Sequence, residues 1–475
     1  MLATLSKLFL LVALILSVVC FALIILVRVE PPIDLPAVEN VRPIAIDNIH
    51  IVTMDGAAVQ RNRQILIEDG LIAHILPAGT TIDSDAKRVD GNDAYLLPGL
   101  FDMHAHVWDR KHQMLSLAYG VTTVRNMGGY PFHLRWKKEL EDGKWLGSNL
   151  FSASPILNGR DHSDPLAHKV VDDPDTARML VRRYNREGWD IIKVYESLRA
   201  DVYDAIVDEA AQLGIPVAGH VPYDAIKDGY RNAATPLVTL EHVEELFDGP
   251  LNYQFDKARL YQVARKLKTI DATVTTTLAV FDQLTQIGIK KQNYVDGLPT
   301  EYMAPLMKFV TDNTAGKRWI NADDAQRDYN INENDFLLQI VQVLYENKVN
   351  LVLGSDYGAL YGVPGLSTHD EMSLLAKAGL SPLDILASAT KNAAKSLKVF
   401  DRYGSIEVGK VADLVMVAEN PLSDVSVLKE PIAVIKRGQL LNAKDLEGLE
   451  HSARKPSNAL LTVGHLLEHL WENYL

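Results

Sequence analysis

Between residues 106 and 356 one pattern recurs: a short run rich in Val, Ile and Thr, then a longer stretch whose apolar residues keep helical spacing. Candidate strands fall at 120–125, 191–195, 215–220, 239–242, 273–277 and 349–356, interleaved with helical patterns such as 201–213 and 335–347. Strands alternating with helices imply a parallel sheet, because each helix carries the chain back to where the next strand starts. A closed (β/α)8 TIM-type barrel takes about 250 residues, roughly 30 per unit, and the distance from His106 to Asp356 is close to that. The expected fold class is α/β, with such a barrel at its centre.

Both flanks of this centre are β-rich. Upstream, the runs 44–46, 49–52 and 65–67 are separated by Asp, Asn and Gly, and Glu68-Asp69-Gly70 reads as a hairpin turn into 71–75. Downstream, 413–417 and 432–435 followed by Arg437-Gly438-Gln439 repeat the pattern. Two such flanks around a different middle predict one small composite β-sandwich domain built from 43–97 and 401–445, with the barrel occupying 98–400.

The chain opens on a different problem. From Leu8 to Val27 runs an uncharged apolar segment of roughly 20 residues, enough to cross a bilayer as a helix, with Lys7 before it and Arg28 after it. It has no small-residue cleavage pattern, so residues 1–29 are expected to be an N-terminal transmembrane helix acting as an uncleaved signal anchor. Lys7 and the terminal amine favour a cytoplasmic N-terminus, which puts the body in the periplasm or outside the cell. Pro31, Pro32 and Pro36 make residues 30–42 a stiff linker.

Composition narrows the function. With 475 residues, 47% of them hydrophobic, the chain can bury a large core, and a net charge of -13 without clustered Lys and Arg argues against a nucleic-acid surface. The only cysteine, Cys20, lies in the apolar N-terminal run. Any metal in the body must therefore be held by His, Asp, Glu or modified Lys.

Residues of that kind stand where barrel strands should end. His104 and His106 are two apart, which on a strand points both imidazoles to one face, a common arrangement for holding a metal. Lys193, His220, His242 and Asp356 fall at later strand ends, and barrel enzymes keep their active sites at the C-terminal ends of their strands. Each has an ordinary structural explanation by itself; together they point to a metal site. Lys193 closes the apolar run 189–195, where a buried amine is costly unless paired or neutralised. For substrate, Arg125 can pair with a carboxylate or brace the barrel, Tyr195 can contact substrate or simply pack, and His162, in the polar stretch 158–164, can serve a carbonyl or belong to a solvated loop.

The motifs 97–106, 120–125 and 354–356, the strand-end His220 and His242, and the closing stretch 404–415 resemble the amidohydrolase superfamily, in the branch of imidazolonepropionase and the metal-dependent Xaa-Pro dipeptidases. The resemblance covers about residues 43 to 442. It implies a metal-bearing barrel in which Lys193 is carboxylated by CO2 and bridges two ions. His104, His106 and Asp356 would hold the first ion, and His220 and His242 the second. Imidazolonepropionase works with one metal and lacks this lysine, so one ion is the alternative. Asp356 and His242 are the expected catalytic residues, with Asp356 acting as general base and then general acid. Zinc suits such nitrogen and oxygen ligands, and manganese, iron and cobalt remain open. The family often has an acid after the arginine; here Asn126 follows Arg125.

The first reading is therefore a membrane-tethered, metal-dependent hydrolase of a small-molecule amide: a dipeptide, an N-acyl amino acid or a cyclic amide. A hydrolase of an ester, lactone or phosphotriester is the second, and a silent binding protein the third. A homo-oligomer is left open. Residues 446–475 are expected to form a helical tail, capped by Ser457, that docks on the barrel through Leu460, Val463, Leu467, Leu470, Trp471 and Tyr474.

Overall fold

The computed structural model describes residues 2–29, 42–56, 59–82, 85–161, 163–164, 166–454 and 458–474. Its centre is a barrel of parallel strands: β1 (Leu100–Ala105), β2 (Val121–Asn126), β3 (Asn149–Ser152), β4 (Ile192–Val194), β5 (Val217–Gly219), β6 (Leu237–Glu241), β7 (Thr273–Thr275) and β8 (Asn350–Val352). The strands β1 to β3 pair in parallel, as do β4 to β8, with register shifts between β1 and β2 and between β5 and β6. Isolated pairings close the two seams, Ala153 with Ile191 on one side and Ala105 with Tyr357 on the other. At the second seam the Met103 amide donates to Leu353 O at 2.8 Å and the His106 amide to Tyr357 O at 2.7 Å. Every residue of β1 and β2 is buried, as expected for parallel strands covered on both faces.

Helices return the chain between strands. Asp109, Asp173 and Asp256 each accept a backbone N–H from the first turn of the helix that follows, which satisfies donors the helix cannot pair itself. Two short strands, Ile156–Asn158 and His168–Val170, are inserted after β3 and extend the sheet beside β4.

The flanking strands form one sheet of seven where a two-sheet sandwich is expected. Its spatial order is Gln439–Asn442, Ala433–Lys436, Leu414–Val417, Lys87–Pro98, Ile44–Ile51, Gln60–Glu68 and Leu71–Pro77. Lys87–Pro98 joins the two flanks, pairing in parallel with Ile44–Ile51 and antiparallel with Leu414–Val417. Asp69 and Gly70, with φ of 50° and 78°, make the expected hairpin turn, since both central residues of this turn type need positive φ. A Cβ on Gly70 would lie 3.0 Å from Arg437 O, so the hairpin tips of the two flanks touch. Lys87–Pro98 then leads directly into β1, tying the His-x-His strand to this sheet.

The N-terminal expectation is corrected. Among the described residues no helix is long and apolar enough to cross a membrane. The transmembrane helix fails, and the membrane-anchored localisation drawn from it falls with it. Leu2–Arg28 is helical, but its end is packed against protein: Ile24 and Val27 are buried, and Arg28 binds Glu468 at 3.0 Å and Glu472 at 2.6 Å on the helix Ala459–Tyr474. The linker 30–42 lies outside the described residues except for its last position, as does Ser457.

The tail also docks by a different face. Thr462, His465, Glu468 and His469 are buried, whereas Leu460 and Trp471 of the apolar stripe are about half exposed. Glu468 accepts from Arg135 at 2.8 and 2.9 Å, His465 packs on Phe132 and His469 on Tyr130. Two arginines and an aromatic wall outweigh the pull of the apolar stripe.

Candidate active site

The C-terminal ends of the strands bring four imidazoles into a row. Ring centroids are 5.5 Å apart for His106 and His104, 4.4 Å for His104 and His242, and 5.0 Å for His242 and His220. Asp356 reaches the same place: its Oδ1 lies 3.2 Å from His106 Nε2 and 3.6 Å from His104 Nε2. His104, His106 and Asp356 form a group whose ligand atoms all lie within 4.8 Å of one another, compact enough to hold a metal ion.

Local backbone choices make this convergence possible. His242, directly after β6, and Asp356, just beyond β8, have φ of 69° and 55°, a left-handed conformation that costs a non-glycine residue on the order of 1–3 kcal/mol. Such strain collects at functional sites. Gly354 is required by space, since a Cβ there would fall 2.7 Å from His104 Cβ.

Asp102, on the same strand phase as His104 and His106, ties β1 to the segment after β8. Its buried carboxylate accepts from the backbone N–H of His104 at 3.2 Å and of Ser355 at 3.0 Å, and from the hydroxyls of Ser355 at 2.5 Å and Thr368 at 2.8 Å. Burial raises it to about 6 against the pull of those bonds. Glu241 lies behind His104, with Oε2 2.7 Å from His104 Nδ1. Burial opposes its ionisation, but Arg125 and then Lys193 hold it below the usual carboxylate range. Thr277 Oγ1 stands 2.7 Å from His242 Nδ1.

Burial and neighbouring positive charge push His104 and His220 well below the ordinary histidine value, and burial with the charge of His104 brings His242 down to about 3. These rings are neutral at physiological pH, the state a metal ligand needs. Lys193 is 1% exposed, its Nζ has no hydrogen-bond partner, and burial lowers it to about 8. His220 Nε2 and Asp356 Oδ1 are likewise buried without a hydrogen-bond partner. Buried polar atoms without partners are costly and rare. Here they belong to residues that could hold a cation.

The substrate candidates divide. Tyr195 is half-buried, its ring between His220 at 4.2 Å and His168 at 4.8 Å. Arg125 faces inward, fully buried, and bonds to Glu241, Thr239 and Met103 O inside the barrel, which favours the bracing reading. Asn126 is also internal, accepting from the Val107 amide at 3.0 Å. His162 lies outside the described residues. Asp102, Glu241, Thr277 and His168 receive no role from sequence, although Asp102 shares the two-residue period of His104 and His106.

With this geometry established, comparison with known proteins decides the family. Residues 95–441 match the Amidohydrolase family. The chain belongs to that family. This amidohydrolase is accordingly an enzyme that hydrolyses amide-type C–N bonds. It is similar to ochratoxinase of Aspergillus niger, 23% identical and covering 83% of this chain and 86% of that one. It is also similar over 13% of its length to imidazolonepropionase of Stenotrophomonas maltophilia, at 36% identity. Among solved structures, a bottromycin amidohydrolase superposes with a TM-score of 0.73 at 23% identity over 87% of this chain and 90% of that one. A Xaa-Pro dipeptidase with bound methionine gives 0.66 at 21% identity over 84% of this chain and all of that one. Likeness at this level shows a shared fold.

Proposed function

We propose that this amidohydrolase cleaves the C–N bond of a small amide, such as a dipeptide, an N-acyl amino acid or a cyclic amide, using divalent metal held at the strand ends. The observation that carries the reading is the convergence of His104, His106, His220 and His242 with Asp356 and with an amine at Lys193 that has no hydrogen-bond partner. The donor set fits a metal: imidazoles and a carboxylate, among them buried atoms without hydrogen-bond partners. His104, His106 and Asp356 would hold one ion, His220 and His242 a second, and Lys193 as a carbamate would join them. Zinc suits these nitrogen and oxygen ligands. Such ions, when bound, supply a water activated near neutral pH and polarise the substrate carbonyl.

The residues of the chain do the rest. Asp356 Oδ1, within 3.2 Å of His106 Nε2, faces the common centre of the histidines, where a carboxylate can take a proton from the attacking water and return it to the leaving nitrogen. Lys193, brought towards neutrality by burial, presents a free amine that can attack the carbon of CO2, with one proton released as the N–C bond forms. Tyr195, partly open to solvent beside His220, is placed to contact the substrate.

The test is metal content per chain after purification with bicarbonate, followed by turnover on dipeptides, N-acyl amino acids and cyclic amides, with esters, lactones and phosphotriesters alongside. Bound metal together with preferential amide turnover supports the reading. Ester, lactone or phosphotriester turnover without amide turnover sinks the substrate class, and wild-type protein that binds no metal sinks the mechanism.

A further inference from the structure

Arg125, Glu241 and His104 form one connected unit beneath the barrel mouth, and all three are buried. Both oxygens of Glu241 accept from Arg125 Nη2, at 2.8 and 2.9 Å, and Oε2 also meets His104 Nδ1 at 2.7 Å. The guanidinium is fixed in turn by Met103 O on β1, Thr239 Oγ1 on β6 at 2.8 Å and Thr275 Oγ1 on β7 at 3.2 Å. Glu241 receives the Thr239 hydroxyl as well. A carboxylate that accepts from an arginine and a hydroxyl is ionised and has only acceptors to offer its next neighbour. The hydrogen on His104 therefore belongs on Nδ1.

We propose that Glu241, locked by Arg125, is the positioning residue for His104, holding the ring in the Nδ1–H tautomer so that the Nε2 lone pair points at the metal. The inference rests on the metal reading above. The neighbouring histidine makes the contrast: His242 Nδ1 meets Thr277 Oγ1, and a hydroxyl can donate or accept, so it dictates no tautomer. Of these two Nδ1 partners, the one on His104 permits one state only. The unit also gives Arg125 a place in the reaction, acting through Glu241 rather than on the substrate.

Glu241→Gln tests this with almost no change in shape. A glutamine cannot satisfy both neighbours: with its NH2 towards His104, Nδ1 must accept and the proton moves to Nε2, where a ligand lone pair is needed. With its NH2 towards Arg125, two donors face each other in a buried site. Chelator-treated wild type and Glu241→Gln are titrated with Zn2+ against a chromophoric chelator, and visible spectra are recorded with Co2+. The expected result is Zn2+ affinity about 10- to 100-fold weaker and an altered Co2+ spectrum, with Glu241→Asp recovering part of both. Wild-type affinity and an unchanged spectrum in Glu241→Gln overturn the proposal while leaving the metal reading intact. Wild type that binds neither ion overturns both.

If the glutamine variant does not fold, the unaltered chain decides. In 15N-histidine-labelled, metal-free protein, the His104 ring, identified by its loss in His104→Gln, is expected to carry its proton on Nδ1. A proton on Nε2 overturns the proposal.

Discussion

Where β1 meets β8, Asp102 ties His104 to the segment that carries Asp356, and Glu241, held by Arg125, braces His104; where β4 meets β5, Lys193 Nζ and His220 Nε2 end without a hydrogen-bond partner. On the first side the carboxylates of Asp102 and Glu241 are satisfied by backbone, hydroxyl and arginine donors, whereas Asp356 Oδ1 ends without a hydrogen-bond partner. The second side bears the cost of burying polar atoms that nothing in the chain satisfies. Folding thus satisfies most polar groups on the first side and leaves more of them unsatisfied on the second.

The largest expected effect tests Asp356 on the first side. Asp356→Asn should lower turnover by about 10²- to 10⁴-fold, the usual worth of a general acid–base group, while metal content holds. Full activity in that variant would remove Asp356 from the reaction.

Stability measurements on metal-free protein should then give opposite signs on the two sides. Asp102→Ala leaves two buried backbone N–H groups and two hydroxyls without their acceptor, and should cost about 2–4 kcal/mol in denaturant unfolding. Lys193→Met removes a buried amine that lacks a hydrogen-bond partner and should stabilise metal-free protein by about 1–3 kcal/mol, while lowering the metal bound in bicarbonate. Destabilisation in both would erase the contrast between the sides.

An effect that only pH reveals sits at His133, beside the chain that leaves His106. His133 Nε2 donates to Val107 O at 2.7 Å and Nδ1 accepts from the Tyr130 amide at 3.0 Å, so a second proton has no room, and burial lowers the group to about 3. The unfolded chain takes that proton near 6.5 and the folded chain does not. Stability is therefore full above pH 6.5 and is lost as pH falls from there towards 3, at up to about 1.4 kcal/mol per pH unit. His133→Gln should show a correspondingly shallower loss between pH 6.5 and 5 in chemical denaturation; identical slopes would show that His133 titrates freely.

Much of this architecture is legible in sequence because it is periodic. The barrel follows from alternation, since parallel strands need helical crossovers, and the two flanks follow from β-rich runs punctuated by Asp-Gly and Arg-Gly turns. His104 and His106 stand out because a strand has period two, and Asp102 obeys the same period without being given a role. Glu241 was out of reach: it meets His104 across 137 residues, and nothing local to either position announces the other. The tail shows the converse error. Its apolar stripe is real, yet the helix turns Glu468 inward because Arg28 and Arg135 are waiting there. The apolar N-terminal run misled for a related reason, since hydropathy alone does not register that the end of that helix is already packed against another.

By itself, the sequence determined the α/β class, the family and the set of titratable residues at the strand ends, all of which depend on local spacing and on the order of motifs. Only the tertiary structure decided which of those groups are satisfied and which are left without partners, that Arg125 turns inward, and which face of the last helix is buried. Hydrogen bonding and desolvation are settled by neighbours hundreds of residues away, and no local pattern carries that information.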